Sequence, residues 1–318
     1  MDLTTLYYFS ELAKDLHITR TAERLFISQQ TLSNHILRLE EHYGTKLLIR
    51  KPVMALTYAG EQLLNFAHNV LREEQDLMDI LADIRHEERG IIRLGASSLR
   101  INSFLPSVLS DFTHRYSNVE LQLTDEQSRQ LEQMILRGEL DIAISILDEE
   151  EPHITRIPLM TDQIYLCVSE QLLHRYYGDR SEALKQRSVN GAHIADFSLL
   201  PFCMYNNRMG ENILKCFQLA GVSPKICTTS PYLQIGTSIG LNGLAASFAT
   251  KISLLNFQEA ATGNINIFPL MLENKPVQQD IFLIHYKDRY LPSYMRYFIT
   301  LTEAYFKKVL ELPMERLA

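Results

Sequence analysis

Four cysteines in 318 residues, Cys167, Cys203, Cys216 and Cys227, are too few and too irregularly spaced for a disulfide-built fold or a CxxC centre. They lie in apolar runs and read as reduced core thiols of a cytosolic protein. The ten histidines are scattered, and none stands at metal-ligand spacing from another His or Cys. There is no His-Glu-x-x-His, no phosphate-cradling glycine loop and no serine in a nucleophile elbow. Gly240-Leu-Asn-Gly243 is too isolated for a dinucleotide fingerprint. An enzyme is therefore not expected, and no cofactor or metal is called for. No apolar run reaches membrane-spanning length, and Met1-Asp-Leu-Thr-Thr leads directly into an amphipathic helix rather than a signal peptide, so the expected location is cytoplasmic. Repeats and low-complexity tracts are absent.

Excess positive charge is lacking too. The formal net charge is −7, which argues against indiscriminate nucleic-acid binding. The first sixty residues carry seven basic against six acidic side chains, a charge of +1, leaving −8 for the remainder. DNA affinity in such a segment has to come from base contacts and from two copies acting together.

What is present near the start points that way. Ala22, Leu25 and Phe26 form one apolar stripe at helical spacing, and Leu32, Ile36 and Leu39 another. Ser28 stands where its hydroxyl can satisfy an orphan N–H at the start of the second helix. The outward face of that helix carries Gln29, Gln30, Thr31, Ser33, Asn34, His35 and Arg38, and amides and guanidinium groups suit base edges in the major groove. This is the pattern of a helix-turn-helix. Gly44 is placed to end the second helix, and Pro52 lies in a turn between two short strands. A small wing results, with Arg50 and Lys51 near its tip for phosphate contacts.

From 58 to 89 there is no proline and a single glycine, Gly60. Leu63, Val70, Leu77 and Ile84 recur every seven residues, and Phe66, Ile80 and Leu81 fill the intermediate row. This is the stripe of a long helix paired with another copy as a coiled coil. Its other face is charged: Arg72, Glu73, Asp76, Asp79, Asp83, Arg85, Glu87 and Glu88. Gly90 is the expected C-cap.

After Gly90 short apolar runs alternate with helices. Strands are expected at 91–96, 119–123, 140–146, 163–168, 200–205, 225–229, 265–268 and 280–285. Helices are expected at 101–116, 128–137, 211–220 and 292–312. The alternation predicts an α/β domain with a mostly parallel sheet. Ligands of open α/β sheets bind at the carboxyl ends of the strands, where the topology switches. That rule selects Ser97, Ser98, Thr124, Asp125 and Ser145 in one half. In the other it selects Cys203, Met204, Tyr205, Thr228, Thr229 and Ser230, with Ser247 near the opposite wall. Hydroxyls beside free N–H groups at a helix start suit a small anion, and Arg100 or Arg208 would neutralise a carboxylate.

Residues 3–60 resemble the winged helix-turn-helix of LysR-type transcriptional regulators. The matching residues are Leu6, Phe9 and Ala13, Ile18-Thr-Arg-Thr-Ala-Glu-Arg-Leu25, Ile27-Ser-Gln-Gln-Thr-Leu-Ser33, Ile36, Leu39-Glu40, Gly44, Leu47-Leu48, Arg50, Leu56-Thr57 and Ala59-Gly60. Gln30 stands where the family often has proline, and the wing is shorter and lacks a second arginine. Arg93-Leu-Gly-Ala-Ser97, Phe104-Leu-Pro-Ser-Val-Leu109, Gly138-Glu-Leu-Asp-Ile-Ala-Ile144, Ile164-Tyr-Leu-Cys-Val-Ser169 and Gly243-Leu-Ala245 resemble the family's effector domain, which has the type 2 periplasmic-binding-protein architecture.

The resemblance implies a DNA-binding domain at 1–58, a linker helix for dimerisation at 59–89 and a two-lobed effector domain at 90–318. One lobe would comprise 90–161 and 269–318, the other 162–268, with an insertion at 176–192. It further implies a double-stranded DNA operator, a small-molecule effector between the lobes, assembly as homodimers and tetramers, and RNA polymerase as a partner. Gln29, Gln30, Ser33 and Asn34 would read bases, and Thr31, Arg38, Arg50 and Lys51 would hold phosphates. The competing reading is a small-molecule binding protein whose N-terminal helices only dimerise.

Overall fold

The computed structural model describes residues 2–85, 89–147, 150–255 and 265–312. The head begins with α1 (Leu3–Asp15), α2 (Ile18–Arg24) and α3 (Gln29–Tyr43), followed by the hairpin of β1 (Leu48–Ile49) and β2 (Ala55–Leu56). Asp2 and Ser28 cap α1 and α3 by accepting the N–H of Thr5 and Thr31, and Gly44 ends α3 at φ +64. The stripes close as expected around Leu6, Phe9, Leu12, Leu32, Ile36 and Leu39. Phe26 departs from its stripe: at φ 56 it is the turn residue between α2 and α3, and its ring is 96% exposed. Buried Glu40 binds the wing to α3, accepting from the N–H of Leu47 at 3.1 Å and from Lys46 Nζ at 2.8 Å.

The long helix α4 (Tyr58–Ile84) starts at the Thr57 cap, and Gly60 is required there because a Cβ would lie 2.2 Å from the Leu47 carbonyl oxygen. It ends earlier than expected, at a C-cap on Arg85. Gly90 is not a cap: it lies in β3 (Arg89–Ala96), where a Cβ would sit 2.6 Å from the Tyr294 ring. Glu87 and Glu88 lie outside the described residues.

The effector domain continues with α5 (Ser98–Arg115), β4 (Asn118–Asp125), α6 (Ser128–Leu136), β5 (Ile142–Ile146) and the 16-residue β6 (Ile154–Ser169). Then come α7 (Glu170–Tyr177), α8 (Ser181–Ser188), β7 (Ala192–His193), β8 (Pro201–Tyr205), α9 (Arg208–Leu219) and β9 (Lys225–Ser230). The chain closes with α10 (Leu233–Leu241), β10 (Ser247–Thr250), α11 (Lys251–Leu255), β11 (Ile265–Leu272), β12 (Lys275–Pro276), β13 (Gln278–Tyr286) and α12 (Ser293–Glu311).

In the first lobe β3 runs parallel to β4 and β5, while β13 lies antiparallel to β5 and β6. The sheet is thus mixed rather than simply parallel. Strand β6 crosses between lobes: its first half pairs with β13, its second with β10 and β11. The first crossing falls near Gln163, close to the expected lobe boundary at 161–162. The return falls later than the expected boundary at 268–269, because Ile265–Pro269 still pairs with Ser169–Tyr165 and pairing with β13 starts at Gln278. Phe104, Phe112, Phe298 and Phe306 fill the first lobe; Phe202, Phe217 and Phe248 fill the second, each burying a large apolar area.

Part of the charged face of α4 packs on the first lobe, while Glu73 and Arg85 stay exposed. Asp83 accepts from the Tyr290 hydroxyl at 2.8 Å and the Ser293 N–H at 3.0 Å, and the Arg72 guanidinium lies 3.3 Å above the Tyr286 ring. Arg289, 3% exposed, pairs with buried Asp141 at 2.7 Å and lies 3.8 Å from Asp76. Of the apolar stripe, Leu63 turns into the head core, so it is not part of an outward seam. Phe66, Leu77, Leu81 and Ile84 are exposed, and Val70 and Ile80 are half-buried.

Candidate DNA-binding surface and interlobe cleft

On α3, Gln29, Gln30, Thr31, Asn34 and Arg38 are exposed and Ser33 is half-buried. Gln29 Oε1 accepts from the Thr19 hydroxyl at 3.3 Å, so α2 orients its amide. The Thr31 hydroxyl sits 2.8 Å from that of Ser28. His35 is the exception. It faces α1 instead of outward, with Nδ1 2.8 Å from the Thr5 hydroxyl and its ring edge-on to Tyr8. On the wing Lys51 is exposed, while Arg50 reaches back to within 3.6 Å of Glu40. Burial would raise the Glu40 carboxyl, but Lys46 and the N–H groups of Leu47 and Leu48 hold it below the usual carboxylate range. The glutamate therefore stays charged and keeps the basic wing residues beside α3.

A cleft of about 240 Å³ lies between the lobes. Of the residues selected by the strand-end rule, Ser97, Ser98 and Asp125 line it, together with Arg100, named for a carboxylate. The N–H of Ser98 is not free: it donates to Asp125 Oδ1 at 2.7 Å, so the start of α5 already holds a carboxylate. Arg100 Nη1 is 3.5 Å from Ser97 Oγ. Burial pushes the Arg100 pKa down to about 10, opposed by the charge of Asp162. Asp162, on the crossing segment of β6, is itself pushed up to about 6 by burial, although it accepts the Lys251 N–H at 2.9 Å.

The other selected residues do not reach the cleft. Ser145, Cys203, Met204, Tyr205, Ser230 and Ser247 are buried in the lobes, and Thr124, Thr228 and Thr229 lie off the lining. Tyr205 donates its hydroxyl to the Phe248 carbonyl at 2.8 Å, inside the second lobe. The lining comes instead from the turns that follow those strands: Asn206 and Asn207 after β8, and Pro231 and Tyr232 after β9. Gln127 and Ser128 at the start of α6, Thr250 and Gln279 also line it. Asn207 caps α9 through the Gly210 N–H at 3.0 Å, and a Cβ on Gly210 would lie 1.8 Å from the Tyr205 carbonyl. Two ion pairs join the lobes within the cleft wall. Arg208, named as a ligand for a carboxylate, does line the cleft but is held by Glu132 at 2.6 Å, and Arg129, also on the lining, meets Glu211 at 2.8 Å.

Cys167, Cys203 and Cys216 are buried and burial raises each thiol, Cys167 to about 12; Cys227, expected in the core, is exposed. No helix among the described residues is long and apolar enough to cross a membrane.

A helix-turn-helix head on a long helix, followed by two lobes around a cleft, defines a ligand-responsive DNA-binding protein. Residues 3–61 match the family of bacterial regulatory helix-turn-helix proteins of lysR type, and residues 85–307 match the LysR substrate binding domain. The transcriptional activator IlvY of Salmonella typhimurium is 31% identical over 281 residues, 87% of this chain and 92% of its own length. An HTH-type regulator of Bacillus subtilis, YcgK, is 25% identical over 79% of this chain and 81% of its own. Among solved structures, a full-length OxyR variant from Pseudomonas aeruginosa aligns with a TM-score of 0.69 at 20% identity, covering 96% of this chain and 95% of that one. Full-length CbnR in complex with its target DNA aligns at 0.58 and 19%, covering 96% and 100%. The chain belongs to the LysR family of transcriptional regulators, with a DNA-binding head and an effector-binding domain.

Proposed function

We propose that the protein works in the cytoplasm as a homodimer, able to pair further into tetramers, in which two α3 helices read the half-sites of a partly symmetric operator. The exposed face of Gln29, Gln30, Asn34 and Arg38 carries this reading, because these groups match the donor and acceptor pattern of base edges and phosphates. Ser33 sits at the edge of that face, and Lys51 on the wing adds a phosphate contact. The dimer seam is the outward row of Phe66, Leu77, Leu81 and Ile84 on α4, with half-buried Val70 and Ile80 at its edge, an apolar strip with coiled-coil spacing.

A small molecule, anionic at one end, occupies the interlobe cleft beside Ser97 and Arg100. Asp125 already satisfies the α5 start, so Arg100 is the group that draws the negative charge. The ligand shifts the lobe arrangement only by its differential affinity for the two states. The α4 contacts with Tyr290, Arg289 and Tyr286 pass the change to the heads, and RNA polymerase at the promoter responds.

A thermal-shift screen of small carboxylates on the full-length protein tests the reading. A hit should raise the melting temperature of the wild type, lose that effect in Arg100→Gln and alter affinity for a selected DNA site. A ligand that stabilises the protein with no effect on DNA would favour the binding-protein reading.

A further inference from the structure

Where the head, α4 and the first lobe meet lies a second cavity of about 710 Å³ that the interlobe mechanism does not use. Helix α1 supplies Lys14 and Glu11; α4 supplies His68, Arg72 and Glu74; the lobe supplies Arg93, Arg137, Glu139 and Arg289. Lys14 is paired with Glu11 at 2.8 Å, and Arg93 and Arg289 are both held by Asp141, at 3.5 and 2.7 Å.

Arg72 is different. It is 8% exposed, its Nη2 donates to Asn69 Oδ1 at 2.6 Å and its plane covers Tyr286, yet its buried Nη1 has no hydrogen-bond partner among the described residues. A buried guanidinium donor without an acceptor is costly, and its usual remedy is an oxyanion. Arg137 stands on the rim of the same cavity, exposed, at the end of α6. His68 reports the local potential: burial, then the charges of Arg137, Lys14 and Arg72, push its pKa down to about 4.

We infer that this junction cavity binds a small oxyanion, which accepts from Arg72 Nη1, pairs with Arg137 and bridges head, linker helix and effector lobe. Inorganic phosphate and a polycarboxylate share that chemistry, and the test separates them.

The imidazole signals of the full-length protein, labelled at histidine, are titrated with pH in three buffers of equal ionic strength containing chloride, phosphate or citrate. The bound anion neutralises the charges that suppress protonation, so the His68 midpoint should rise by at least one pH unit, saturably, in phosphate or in citrate but not in chloride. Whichever arm responds identifies the anion class. Arg137→Gln, a change on the exposed rim, should weaken that anion's binding at least tenfold while leaving the chloride titration of the other histidines in place. Arg72→Lys should also weaken it, provided the variant's melting temperature in chloride matches the wild type. No saturable shift in either anion, or an equal shift in Arg137→Gln, overturns the proposal.

Discussion

Arg208 Nη1 donates to Glu132 Oε1 at 2.6 Å, and this contact spans two lobes: Arg208 opens α9 of the second, and Glu132 lies on α6 of the first. Both side chains are largely covered, at 10% and 19% exposure, so the pair is only partly screened. Together with Arg129 and Glu211 it latches one side of the effector cleft.

Glu132→Gln should loosen that latch. The loss is about 1–2 kcal/mol for a charge-assisted hydrogen bond, roughly a tenfold change in the balance between lobe arrangements. The change should appear as altered effector affinity and altered basal DNA affinity, with little effect on melting temperature. Calorimetric titration of the effector and band-shift titration of the operator, read on both proteins, check it. Equal values in the two would show that the pair does not govern lobe closure.

Much of this was legible beforehand, for identifiable reasons. The head was readable because Leu32, Ile36 and Leu39 repeat at helical spacing beside a capping Ser28, which are local signals. Phe26 misled because it continues the stripe in sequence, while the turn's positive φ swings its ring outward. Gly90 suggested a helix stop by its type, but it is there to let Tyr294 approach a strand. In the first lobe the sequence placed Ser97, Ser98, Arg100 and Asp125 on the cleft, whereas in the second lobe it located the strand ends but not the side chains that line it. The last residues of β8, Cys203, Met204 and Tyr205, are enclosed by the lobe, and the turn residues beyond them, Asn206 and Asn207, face the cleft. Neither the Asp125 cap on Ser98 nor the Asp141 pair with Arg289 could be inferred, since they join residues 27 and about 150 positions apart.

Arg289→Met should destabilise the protein by about 3–5 kcal/mol, since it strands Asp141 as a buried charge without its main partner. Chemical denaturation of both proteins measures it. A loss below 1 kcal/mol would mean that Arg93 alone suffices for Asp141.

Asp162 and His68 should give opposite pH slopes. The folded-state pKa of Asp162 is raised to about 6, so its contribution is complete below about 4 and is lost as pH rises through 6. Asp162→Asn should therefore gain on the wild type over that window, by on the order of 2–3 kcal/mol. The pKa of His68 is depressed to about 4, so its contribution is complete above about 6.5 and is lost as pH falls toward 4. His68→Gln should gain on the wild type in the acid direction instead. Thermal melts at half-unit intervals from pH 4 to 7.5 resolve the two slopes, and parallel slopes would refute the assignment.

Leu81→Glu, at a position 41% exposed in the single chain, should leave the fold intact and halve the molar mass measured by light scattering. An unchanged mass would place the dimer seam elsewhere.

The central claim is sequence-specific DNA recognition by α3. The most direct measurement is selection of genomic fragments by the purified full-length protein near physiological salt, run in parallel with Gln29→Ala and with metabolite extract present or absent. The account predicts enrichment of a site with two related half-sites, weakened by Gln29→Ala by about 1–3 kcal/mol, or roughly 5- to 150-fold. No enriched sequence in either condition, or the same sites and affinities for the variant, would contradict it.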